Sequence, residues 1–222
     1  TTEGNVLLNH GFHATGEVRL SRATIGRQLK CEGGQFTGCD RIALDLAGLV
    51  GHGDVLLTDG FRAEAEVRMR DARLDRDLKF NGGYLAGRGE NALDARGANV
   101  GGCLELMLAE PPGASLDFSY VTVNRLKDEP KSWSGPPSVL NGLTYQTIED
   151  QVDPDERADV DHRIETLRRM KKYKRQPYRE LANFYRRAGR EDHARMVAMV
   201  GLRELRRKDG LNRWGKFWNW FL

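Results

Sequence analysis

The 222-residue chain holds only three cysteines, Cys31, Cys39 and Cys103, and no CxxC pair. An odd count without that spacing excludes a disulfide framework and the common zinc ribbons, and it fits a reducing compartment. Proline is scarce, at seven residues, and aromatics make up 8%. No apolar run reaches the roughly 18 residues that a membrane-crossing helix needs. Residues 1–12 lack a basic stretch followed by an apolar one, so no secretory leader is read there. P-loop, HExxH and GxSxG patterns are missing, and the five histidines (His10, His13, His52, His162, His193) are dispersed. With 39% hydrophobic and 30% charged residues the chain is too polar for a bundle of membrane spans and too apolar for disorder.

Charge is unevenly spread. Residues 1–123 carry 13 Lys+Arg against 17 Asp+Glu, a net of −4, and residues 124–222 carry 22 against 15, a net of +7. From His162 onward the balance is 18 against 6, a net of +12. Two structural units with different partners are implied.

What the first half does have is repetition. Sliding the chain by 49 residues lays 1–49 onto 50–98 without a gap, with 21 identities. Val6-Leu7-Leu8, Gly11-Phe12 and Glu17-Val18-Arg19 fall on Val55-Leu56-Leu57, Gly60-Phe61 and Glu66-Val67-Arg68. Gly33-Gly34 and Ala43-Leu44-Asp45 fall on Gly82-Gly83 and Ala92-Leu93-Asp94, and a third copy begins at Asn99. Apolar residues come as short alternating pairs, such as Val18-x-Leu20, Ala23-x-Ile25 and Leu29-x-Cys31, renewed about every five residues. Period two over three residues means very short strands separated by corners, and paired glycines supply corners with positive φ. A weaker half-repeat sets one coil at roughly 20–25 residues. A coil this small cannot bury its inward residues alone, so coils must stack.

These residues resemble pentapeptide-repeat and bactofilin-like right-handed β-helices. The expected fold is therefore mainly β: a parallel β-helix solenoid over 1–123, followed by a small α-helical hairpin region. Cys31 stands where the next copy has Phe80 and is read as a core residue. Gly87-x-Gly89-x-x-Ala92 has the outline of a dinucleotide fingerprint, but it falls at a solenoid corner rather than between a strand and a helix.

Residues 115–123 alternate and read as the last strands. Residues 124–152 collect Pro130, Pro136 and Pro137 and read as a linker or solenoid cap, pinned by Trp133. A basic α-helical region is expected over 153–209. Asp153-Pro154 marks a helix start, and Asp155, Glu156, Asp159 and Asp161 complement its dipole rather than hold a metal. Arg168, Arg169, Lys171, Lys172, Lys174 and Arg175 form a basic patch. Gln176-Pro177 opens a second helix that Ala188-Gly189 closes, and a third runs from about Glu191 to Lys208.

The run Pro177-Tyr178, Leu181-Ala182, Tyr185-Arg186-Arg187-Ala188-Gly189 and Ala194-Arg195-Met196-Val197 resembles a family of actinobacterial proteins labelled membrane-associated oxidoreductases. The resemblance implies a Gly-rich repetitive region before the hairpin and hydrophobic membrane segments after it. Residues 210–222 form an aromatic tail in which Leu211, Trp214, Trp218 and Phe221 share one helical face. Arg213, Trp214, Lys216, Phe217, Trp218, Trp220 and Phe221 are the expected membrane-interface residues, with rings at headgroup depth and cations on anionic lipid.

The expected function is a non-catalytic scaffold or sensing surface, peripheral to the cytoplasmic face of the membrane. No catalytic, cofactor or metal residue is assigned. Expected partners are anionic lipid or further membrane segments, a protein on the solenoid, and further copies of the chain, since no cap precedes Val6. Two alternatives stand beside it. One is a nucleic-acid- or topoisomerase-binding protein, for which a net of −4 is a weak mimic of DNA; the other is the oxidoreductase of the family label.

Overall fold

The computed structural model describes residues 1–38, 41–149 and 156–208. The chain divides into two units, Thr1–Pro154 and Asp155–Leu222.

The first unit is a parallel β-solenoid with four strand-bearing faces per coil. Following the chain, the first face stacks Val6-Leu7, Leu29-Lys30, Val55-Leu56, Leu78-Lys79, Leu104-Glu105 and Leu126-Lys127. The second stacks His13-Ala14, Gln35-Phe36, Arg62-Ala63 and Tyr84-Leu85. The third runs Val18-Arg19, Leu44-Asp45, Val67-Arg68, Leu93-Asp94 and Leu116-Asp117. The fourth starts at Thr24-Ile25 and reaches Thr144-Tyr145. Most strands are two residues long because each face places one apolar side chain inward before the chain turns. Ile25, Leu29, Leu44, Val67, Leu74 and Leu93 are accordingly buried.

The repeat length has a structural cause. Leu29 pairs with Val6, Val55 with Leu29, and Leu78 with Val55, so successive coils advance by 23, 26 and 23 residues. The 49-residue repeat is thus two unlike coils. At the corner between the third and fourth faces, Arg22, Gly48, Asp71, Gly97, Tyr120 and Gly142 all have positive φ, between 54° and 83°. Every second one is glycine because its neighbour's side chain fills the space. A Cβ on Gly142 would lie 3.1 Å from the Tyr120 Cα, and one on Gly97 would strike the Asp71 carboxylate.

The ladder continues beyond the boundary expected at residue 123. Thr122–Asp128 and Thr144–Ile148 are strands, and Leu126 pairs with Ile148. The proline-rich segment lies inside this last coil, at the place of the second face. Proline has no N–H to give a ladder, so this stretch turns as the 3-10 helix Pro130–Trp133 instead of pairing. Trp133 is buried against Phe118, with ring centres 5.7 Å apart, and its Nε1 donates to Asp128 at 2.6 Å.

The second unit contains α1 (Glu156–Arg168), α2 (Arg175–Arg187) and α3 (Glu191–Lys208). Asp153 to Asp155, the expected start of the first helix, lie outside the described residues. α2 buries Tyr178, Leu181, Ala182 and Tyr185 on one face, and it ends at Gly189, whose φ of 74° reverses the chain into α3. Ala194, Val197 and Gly201 of α3 are buried. A Cβ on Gly201 would stand 2.9 Å from the Cβ of Tyr178, so the two helices approach where a side chain is missing. Tyr185 is fully buried on the α1 side, its hydroxyl donating to Asp159 at 3.1 Å. The Arg163 guanidinium approaches the same carboxylate at 2.9 Å.

Candidate functional site

Part of the solenoid's charge lies in compensated ladders. On the third face the column Arg19, Asp45, Arg68, Asp94 alternates in charge over four coils before Asp117 follows Asp94. Asp94 is fully buried beneath two guanidinium groups, with Arg70 at 2.5 Å and Arg96 at 2.9 Å. Burial opposes its ionisation, but hydrogen bonds from Arg96 and Arg70 outweigh that and hold the carboxyl below the usual range. The first face has a second ladder, in which the Lys79 ammonium meets Asp77 at 3.2 Å and Glu105 at 2.8 Å.

A depression of about 450 Å³ on the third face is lined by Arg41, Arg68, Arg70, Arg88 and Arg96 together with Glu66 and Glu90. Four of its five arginines already hold a carboxylate: Arg68 has Glu66, Arg88 has Glu64, and Arg70 and Arg96 have Asp94. The positive field there is largely spent inside the protein.

The thiols are packing groups. Cys31 is fully buried and pushed up to about 12, chiefly by burial, and Cys103 is pushed up to about 11 for the same reason. Neither forms a nucleophilic thiolate at neutral pH. Cys39 lies outside the described residues. Gly87-x-Gly89-x-x-Ala92 leads into the strand Asn91–Asp94, so no helix N-terminus faces it. His10 and His13 are exposed, and His52 Nδ1 lies 2.7 Å from Asp75. Among the described residues no group of three His, Cys, Asp or Glu converges as metal ligands would.

The helical unit is different. All six residues of the basic patch, Arg168, Arg169, Lys171, Lys172, Lys174 and Arg175, are solvent-exposed at the end of α1, across the connection, and at the start of α2. Met170 and Tyr173 break the run toward the interior, Met170 buried and the Tyr173 hydroxyl donating to the Gly201 carbonyl at 2.9 Å. Arg168 reaches Glu204 at 3.6 Å. Arg203, Arg206 and Arg207 continue the exposed positive surface along α3. Arg213, Trp214, Lys216, Phe217, Trp218, Trp220 and Phe221 lie outside the described residues. Among the described residues no helix is long and apolar enough to cross a membrane.

Arg179 and Arg186 attract no notice in the sequence, where arginines are common. They stand four and eleven residues after Arg175, a spacing that puts all three on one side of α2. No family model, curated protein or solved structure matches the chain.

Proposed function

We propose that the protein is a non-catalytic β-solenoid scaffold held at the anionic cytoplasmic face of a membrane by its basic helical unit and the aromatic residues that follow. The observation that supports this reading is the contrast between the two units. On the solenoid the buried Asp94 and the part-buried Glu105 are compensated by Arg70, Arg96 and Lys79, whereas the helical unit exposes six basic residues between Arg168 and Arg175. Each such cation near an anionic surface contributes about 1 kcal/mol, and salt screens the attraction.

Co-sedimentation with vesicles tests the proposal. The full chain pellets with phosphatidylcholine vesicles containing phosphatidylserine, and high salt releases it. Changing Lys171, Lys172 and Lys174 to Gln together weakens binding on the order of a hundredfold. Binding that ignores both salt and these lysines overturns the proposal.

A further inference from the structure

Many arginines among the described residues are matched by a carboxylate. Arg19, Arg68, Arg70, Arg88 and Arg96 are matched on the solenoid. Arg163, Arg168, Arg187, Arg195 and Arg207 are matched in the helical unit. Arg175, Arg179 and Arg186 have no carboxylate within ion-pair distance among the described residues; Arg186 donates to Asn183 Oδ1 at 2.8 Å. All three line one depression of about 200 Å³, beside Tyr173 and Tyr178, and no acidic residue lines it. Its floor is made of small residues, Ala182 and Gly201 among them.

Three like charges around one hollow repel one another, and among the described residues no ion pair to any of the three offsets that repulsion. An anion placed between them would. Three guanidinium forks offer more donors than one carboxylate accepts, whereas a phosphate monoester brings three terminal oxygens and a charge near −2. A depression of about 200 Å³ has room for a phosphate group with a few attached atoms. Tyr173 and Tyr178 stack at 5.7 Å, and burial keeps the Tyr178 hydroxyl protonated well above its usual range. On α3, Leu202 lines the hollow and is 47% exposed, and Met199, one turn earlier, is 53% exposed. An apolar lip beside a cationic hollow fits a phosphate carried on a lipid.

We propose that this depression between α2 and α3 binds one phosphomonoester group per chain. It rests on the membrane reading only for the lipid as the source of that phosphate.

The test uses the full chain, titrated calorimetrically with glycerol 3-phosphate, and vesicles carrying either phosphatidic acid, a monoester, or phosphatidylglycerol, a diester, at matched surface charge. The variant is Arg179→Gln. The control is Arg195→Gln, whose side chain pairs with Glu191 and lies off the depression. Thermal unfolding confirms that both variants fold. The expected result is one glycerol 3-phosphate per chain, weakened at least about tenfold by Arg179→Gln and unchanged by the control. Phosphatidic acid vesicles bind better than phosphatidylglycerol vesicles, and Arg179→Gln abolishes that preference alone. If glycerol 3-phosphate binds through Arg179 and neither vesicle does, the site stands with a soluble ligand and the membrane reading falls. If both vesicles bind equally and the titration is silent, the membrane reading stands and the site is overturned. Equal weakening by the two variants also overturns it.

Discussion

The rings of Phe36 and Phe61 lie 5.3 Å apart although the two residues hold different places in their coils. Phe36 is in register with Ala14 and Ala63, whereas Phe61 precedes Ala63 by two residues and has Gly34 opposite. One coil therefore places its ring where the next has alanine, and leaves a glycine where the next has a ring. Phe12 repeats the relationship on the other side of Phe36, also at 5.3 Å. Two unlike coils interlock in this way, which is why the sequence repeats every 49 residues.

Removing the ring or filling the gap should both be costly. A Cβ on Gly34 would lie 2.5 Å from the Leu8 carbonyl oxygen and 2.8 Å from the Phe36 ring. Gly34→Ala is expected to destabilise by about 1–3 kcal/mol, and Phe36→Ala by about 3–5 kcal/mol. Urea unfolding monitored by circular dichroism reads both. A neutral Gly34→Ala would show that the coils do not interlock at this point.

The corner column makes a paired prediction. Gly97, with φ of 71°, faces the Asp71 side chain, while Asp71 holds φ of 54° with no glycine's freedom. Gly97→Ala should cost about 1–2 kcal/mol, whereas Asp71→Gly should lie within about 1 kcal/mol of neutral. Thermal unfolding separates the two, and equal losses would contradict the alternation.

Acid should loosen the third face. The Asp94 carboxyl titrates below its ordinary value of about 3.9, because two guanidinium groups favour the ionised form. A depressed folded-state pKa means that the stabilisation is present above the unfolded value and is lost as pH falls through the folded one. Stability should therefore drop below about pH 4, and Asp94→Asn should flatten that drop while lowering stability at pH 7 by about 1–3 kcal/mol. Denaturation midpoints measured across pH 2–7 give the comparison.

The buried thiols should stay inert in the native state. With Cys31 near 12 and Cys103 near 11, a thiol reagent at pH 8 leaves both unmodified until the chain unfolds. Peptide mapping by mass spectrometry assigns the modified positions. Rapid native labelling of Cys31 would mean that its coil opens.

Much of the architecture is local and therefore readable in the residues themselves. Alternation over three residues specifies a short strand, and Gly33-Gly34 or Ala188-Gly189 specifies a reversal, without help from distant parts of the chain. The solenoid, its coil size and the limits of α2 and α3 follow from such signals. The continuation to Ile148 does not, because the proline-rich segment has the composition of a linker and only pairing with Leu126 places it within a coil. The same limit applies to the candidate site. The exposed cations from Arg168 to Arg175 are visible as a run, but Arg179 and Arg186 join Arg175 around a hollow only because Gly201 admits Tyr178 and brings α3 against α2. Sequence alone determined which short segments form and where they turn. Tertiary packing decided which charges found partners and which were left facing an open pocket, because ion pairing depends on distances between residues that are remote along the chain.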